Sequence, residues 1–170
     1  MSYSLKYGDQ TLRFITKPGE DYPFVAGQIY YKLQKQFFIS NEMYDEVDPI
    51  MEELNALRDT GLEANVEFAK KLYPSRRIFA LAIVREQEDK GAVWVDFPPK
   101  IEKELVKYIL NPEYGDITDL ETGTDFIITK TKGAPWPEYS VTPKRKSSTL
   151  MKTPEETAEI FENLPDFKEA

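Results

Sequence analysis

The chain has 170 residues, 41% of them hydrophobic and 31% charged, with a net charge of −8 and neither Cys nor His. A chain of that size can build one domain with a real core, because folding hides roughly two thirds of its extended surface. Without Cys or His it cannot assemble a disulfide, the usual zinc ligand sets, or Cys–His and Ser–His nucleophile pairs, which leaves only carboxylates or an oxygen-ligated metal for catalysis; the expectation is no enzyme, no cofactor and no metal. No apolar run reaches 18 residues and the opening MSYSLKYGDQ has no apolar h-region. The expectation is therefore a cytoplasmic protein without a membrane span.

In chain order, Leu12–Ile15 reads as a short strand before a Lys17-Pro18-Gly19 turn. Residues 24–33 and 36–39, rich in aromatic and β-branched side chains, suit a hairpin. Asp48-Pro49 is a good N-cap and first-turn pair, and Ile50, Leu54 and Leu57 keep helical spacing until Thr60-Gly61. Leu62, Val66, Ala69 and Leu72 mark a second amphipathic stretch. Strand pattern returns at 78–84 and 92–96 around a charged turn, Arg85–Gly91. Residues 100–110 read as a helix with Ile101, Leu105 and Tyr108–Ile109 facing inwards, and 125–131 and 139–141 read as the closing strands. Thr153-Pro154-Glu155-Glu156 is a capping box that starts an acidic helix ending near Leu164-Pro165. The predicted class is mainly β with inserted helices (α+β), with an OB-type five-stranded Greek-key barrel as the architecture that tolerates long connections. Residues 1–150 would form this domain with a helical insertion at about 41–74, and 151–170 a short acidic C-terminal helix or tail.

The charge is unevenly placed. Residues 42–67 hold nine acids against Arg58, and 153–170 hold six against Lys168. By contrast, 70–85 carries five bases and no acid, and 126–152 carries six bases against Glu138. Phosphate recognition depends on the local field rather than on whole-chain charge.

In the first basic segment Lys70 and Lys71, then Arg76 and Arg77, flank Tyr73, and Phe79 follows. Cations can neutralise phosphates while rings stack on bases; the competing reading is a solvated helix end before a core strand. In the second segment Lys130 and Lys132 share a strand face, Trp136 sits between two prolines ahead of Tyr139, and Lys144-Arg145-Lys146 precede Ser147-Ser148-Thr149. Trp136 is either a stacking residue or a lid on the barrel end. In the pairs Tyr30-Tyr31 and Phe37-Phe38 one member of each should be exposed. The pattern does not say which, and Tyr31 and Phe38 are carried as candidates. Asp116, Asp119, Glu121 and Asp125 lack the spacing of a calcium loop and read as a polar turn.

These residues, in this order, resemble the T-even phage single-stranded DNA-binding (helix-destabilising) proteins. The resemblance rests on Leu12-Arg13-Phe14, Tyr22-Pro23-Phe24 and Gln36-Phe37-Phe38-Ile39, then Arg76-Arg77-Ile78-Phe79 and Gly91-Ala92-Val93. It continues through Asp116-Ile117-Thr118-Asp119 and Gly123-Thr124-Asp125-Phe126 to Gly133, Trp136 and Tyr139. It implies an OB-fold that binds single strands without sequence preference in phage replication, recombination and repair. Carried over by position, its groove would include Arg13, Arg76, Arg77, Phe79, Lys130, Lys132, Trp136 and Tyr139. The T-even member has a zinc-bearing insertion with His and Cys ligands, which 41–72 lack, so metal dependence is not carried over. The expected partner is single-stranded DNA, with RNA as an alternative, and 153–170 is the candidate docking tail for replication proteins. Two other functions remain on the table: an acidic protein–protein adaptor and a carboxylate-metal nuclease.

Overall fold

The computed structural model describes residues 2–33, 36–40 and 45–167; the side chains of residues 31–38 lie outside that description. The chain divides into two compact units, Met1–Val25 with Ile78–Ala170, and Ala26–Arg77.

In the first unit the strands are β1 (Ser2–Ser4), β2 (Gly8–Ile15), β5 (Ser75–Val84, entered from the second unit), β6 (Ala92–Phe97), β7 (Phe126–Thr131) and β8 (Glu138–Pro143). Their order is β1-β6-β5-β2-β7-β8, antiparallel except for the parallel pair β1–β6. Among the described residues this unit is an open run of six strands with helices α3 (Pro99–Ile109) and α4 (Pro154–Glu162). The protein is thus a mixed α+β fold, mainly β, and its sheet carries more strands than the five expected.

Residues Ile78–Val84 of β5 are buried without a break, which is why that segment reads as a continuous apolar run rather than an alternating one. On one face Ile78, Ala80, Ala82 and Val84 join Phe14, Phe24, Phe97 and Phe126, with Ile101 and Leu105 of α3. Phe14 meets Phe24 edge-on at 5.4 Å and Phe97 at 6.1 Å between centroids, the geometry ring quadrupoles favour. Phe79 and Trp94 are buried as well, and Phe167 lies edge-on to them at 5.0 Å and 4.8 Å. The Trp94 indole donates to Pro165 O at 2.9 Å. Helix α4 begins with the complete capping box at Thr153 and Glu156 and buries Ile160.

The second unit holds the hairpin of β3 (Phe24–Leu33, which starts in the first unit) and β4 (Gln36–Ile39), paired through Ile29–Ile39 and Tyr30–Phe38, followed by α1 (Pro49–Asp59) and α2 (Glu63–Leu72). Its small core is Tyr30, Leu54 and Ala69, flanked by Ile50, Leu57, Leu72 and Tyr73.

Asp48 ties this unit together. It is nearly fully buried, caps α1 by accepting from the N–H groups of Ile50 and Met51, and accepts from the hydroxyls of Tyr30 and Ser40. Burial pushes its pKa up, but the Ser40, Tyr30, Met51 and Ile50 bonds outweigh burial and hold it below the usual Asp value. A depressed folded pKa means the contribution is complete above the unfolded value of about 3.9 and disappears as pH falls through the lower folded value. Asp48→Ala should cost about 1–2 kcal/mol for the cap alone, and more for the stranded hydroxyls. Urea unfolding followed by helical circular dichroism at pH 7 and pH 2.5 checks it: the gap between wild type and variant should be large at pH 7 and shrink at pH 2.5. An unchanged gap would refute the assignment.

Candidate nucleic-acid interface

The chemistry gathers where β2 starts and β7 ends. Gly8, at a φ of +96° that L side chains rarely adopt, turns the chain into β2 and pairs with Lys130, which faces Tyr139 across the β7–β8 ladder. The Lys130 ammonium donates to Leu5 O at 3.2 Å and sits 4.8 Å from the Tyr7 ring centroid and 5.9 Å from that of Tyr139. Lys132, two residues on and exposed, is 6.0 Å from the Tyr7 ring. Lys100, the second residue of α3, places its ammonium 4.8 Å over Tyr139 and donates to Pro137 O at 3.1 Å.

Those separations are within cation–π range, so cations and rings interleave rather than segregate. Lys100 also ties the proline-flanked loop to α3. Within that loop Trp136 is 75% exposed, which rules out a barrel lid. Gly133 permits the loop to close, because a Cβ there would run into the Trp136 carbonyl oxygen.

The candidates in the second basic run therefore separate. Lys130, Lys132 and Tyr139 come together, with Trp136 on the loop between β7 and β8. Lys144, Arg145 and Lys146 are exposed but lie past Pro143, which pairs with Phe126 at the other end of the hairpin. Four residues at about 3.4 Å each put that end roughly 14 Å from the Lys130–Tyr139 pair. Backbone bonds anchor this loop, from Lys144 N to Asp125 O at 2.9 Å and from Ser148 N to Gly123 O at 3.1 Å.

Arg13 and Phe79 do not belong to any exposed surface. Arg13 is fully buried: its guanidinium pairs with Asp125 at 3.2 Å and donates to Asp119 O and Ser148 O at 2.7 Å each, and to the Ser148 hydroxyl at 3.0 Å. Burial pushes its pKa down and the Asp125 carboxylate opposes that. Arg13 is an internal tether with no face left for a phosphate. Phe79 is 5% exposed under Phe167.

In the helical unit Lys70, Lys71 and Arg76 are exposed and Arg77 is half-buried. Lys70 makes a solvent-exposed pair with Glu67 at 3.5 Å, of little energetic weight. Tyr73, a candidate for stacking, packs in this unit's small core and donates to Asn55 at 2.7 Å. The side chains of Tyr31 and Phe38 lie outside the described residues.

The acidic cluster does structural work. Asp116 accepts from Thr118 N at 2.9 Å, and Asp119 from the N–H groups of Glu121 at 2.9 Å and Thr122 at 2.8 Å. Asp125 holds both Arg13 and Arg85.

Tyr7 and Lys100 were missed by sequence reasoning. The available signal was Lys6-Tyr7-Gly8, a cation and a ring next to a glycine at a strand start. The apolar pattern starts this strand only at Leu12, too late to place Tyr7 beside Lys130.

A surface where exposed rings alternate with lysines suits a flexible polyanion with accessible π-faces, which is the chemistry of an unpaired nucleic acid strand. The comparison with known families agrees. Residues 6–170 match the family described as gp32 DNA binding protein like, and the chain belongs to that DNA-binding family. No curated protein matches it.

Proposed function

We propose that this chain binds single-stranded DNA without sequence preference, using Tyr7, Lys130, Lys132, Trp136 and Tyr139 as its central surface. The observation that carries the reading is the gathering of Lys130 and Lys132 at the exposed Tyr7 ring (56%), with Trp136 (75% exposed) on the adjoining β7–β8 loop and, among the described residues, no carboxylate paired with either lysine. Rings take bases of any identity and lysines take phosphates, so affinity arises without base readout. Lys144, Arg145 and Lys146 extend the cationic track along the hairpin, and Lys70, Lys71, Arg76 and Arg77 are proposed as phosphate contacts of the helical unit in their own right. The chain acts by binding rather than catalysis.

Family membership supports three finer proposals: the open sheet is a variant of an OB-type barrel, the setting is phage replication, recombination and repair, and the work is done in the host cytoplasm. Among the described residues, no helix is long and apolar enough to cross a membrane. The acidic residues 153–170 are proposed to recruit replication proteins.

Phosphate contacts release condensed counterions, with a slope of about −0.7 per contact on single strands. Three to five contacts should weaken an oligo-dT complex by at least about tenfold between 50 and 300 mM salt. Fluorescence anisotropy of labelled oligo-dT measures this, and Arg76→Ala with Arg77→Ala should weaken all sequences alike. No oligo-dT binding at low salt would favour an acidic adaptor instead, and a flat salt response would remove the cationic track.

A further inference from the structure

Two cavities open on the first unit and meet at Leu120 and Phe161. One, about 520 Å³, has an apolar floor of Leu120, Met151, Pro154, Ala158 and Phe161. Leu120 is 42% exposed there, in a turn held by its own backbone bonds. The other, about 620 Å³, is walled by the 16–21 and 115–120 turns and carries Glu20, Asp21, Asp116 and Asp119 against Lys17. The Lys17 ammonium is turned over the Trp94 ring, 4.9 Å from its centroid. The N–H groups of Thr122 and Glu121 hold the Asp119 carboxyl below the usual carboxylate range.

An apolar seat joined to an acidic one selects for a ligand with the complementary pair. We infer that this groove docks a short extended segment of a partner protein, an apolar side chain entering beside Leu120 and Phe161 and adjacent lysine or arginine residues facing Asp21, Asp116 and Asp119. Charge sets the polarity of the segment and the apolar floor supplies its anchor, the pattern of a peptide-recognition groove. The groove lies beyond the C-terminal end of β2, whereas Tyr7 precedes its N-terminal end. Eight residues at about 3.3 Å each separate the two by roughly 25 Å. A docked segment leaves the aromatic surface open, so the protein can hold a strand and a partner together.

The probe is a fluorescein-labelled twelve-residue peptide of alternating Leu and Lys, compared with Leu/Glu and Ser/Lys versions, on the full chain. The Leu/Lys peptide should bind, and the other two at least tenfold more weakly. Ala158→Arg, which fills the apolar seat, and Glu20→Gln with Asp21→Asn, in an exposed turn, should each weaken it at least tenfold while oligo-dT binding is retained. Equal binding of Ser/Lys, no binding of Leu/Lys, or indifference to both sets of substitutions would overturn the inference. So would concentration-dependent self-association abolished by Ala158→Arg, which would make a second copy the occupant.

Discussion

Replacing Arg13 with alanine should cost about 3–5 kcal/mol of folding stability, the range for breaking a buried ion pair from one side. The side chain is fully buried and its two terminal nitrogens reach Asp125, both oxygens of Ser148, and the Asp119 carbonyl. Removing it leaves two inward carbonyls without that donor, opens a cavity against Gly123, and leaves Asp125 with Arg85 as its remaining cation in the pair network. Arg13→Lys should rescue little, since one ammonium cannot reproduce a planar fork aimed at four acceptors. Denaturant unfolding at neutral pH measures the loss, and DNA binding by protein that remains folded should be unchanged. A variant within about 1 kcal/mol of wild type that binds DNA poorly would restore Arg13 to the interface and overturn its role as a tether.

Trp136→Ala should show the opposite pattern, a cost of about 1–3 kcal/mol in oligo-dT binding, roughly five- to 150-fold, with little change in stability. The side chain is 75% exposed in a loop between Pro135 and Pro137, so it contributes little packing to lose. Lys100 fixes the loop through Pro137 O, which pre-orders the ring and reduces the entropy lost when a base stacks on it. Titration of labelled oligo-dT beside a thermal melt separates the two quantities. A folding cost of about 3–5 kcal/mol, as for a core aromatic, with unchanged affinity would remove Trp136 from the surface.

What could be read in the sequence was whatever local chemistry dictates. The Asp48 and Thr153 caps, the apolar spacing of Ile101 and Leu105, and the apolar run from Ile78 to Val84 are short-range signals, and each names an element that forms. β1 was not legible, because Ser2-Tyr3-Ser4 has no strand pattern of its own and exists by pairing with Trp94, Val95 and Asp96. The start of β2 was hidden by polar residues. Gln10 is buried only because it folds back to bond Lys6 and Ile128 O. Arg13, expected at the surface only from the resemblance, is internal because the 119–125 turn and Ser148 close over it, a long-range arrangement that no local pattern signals. Phe79 misled because β5 is covered on both faces, and the residue above it, Phe167, is 88 positions away. At the interface the residue types and the Lys130–Lys132 alternation were legible. The partner residues Tyr7 and Lys100 required the β2–β7 register and the approach of α3 to β8, which are long-range pairings.

Intrinsic tryptophan fluorescence during titration with unlabelled oligo-dT tests the central claim most directly. Trp94 is buried, bonded to Pro165 O and covered by Phe167, so it forms a steady background, while Trp136 faces solvent. Saturable quenching in the wild type that is absent from Trp136→Phe, and that single strands produce far more strongly than duplex, is the result expected if bases stack on this surface. Binding without quenching, or the same quenching in Trp136→Phe, would place the DNA elsewhere on the molecule and contradict the assignment.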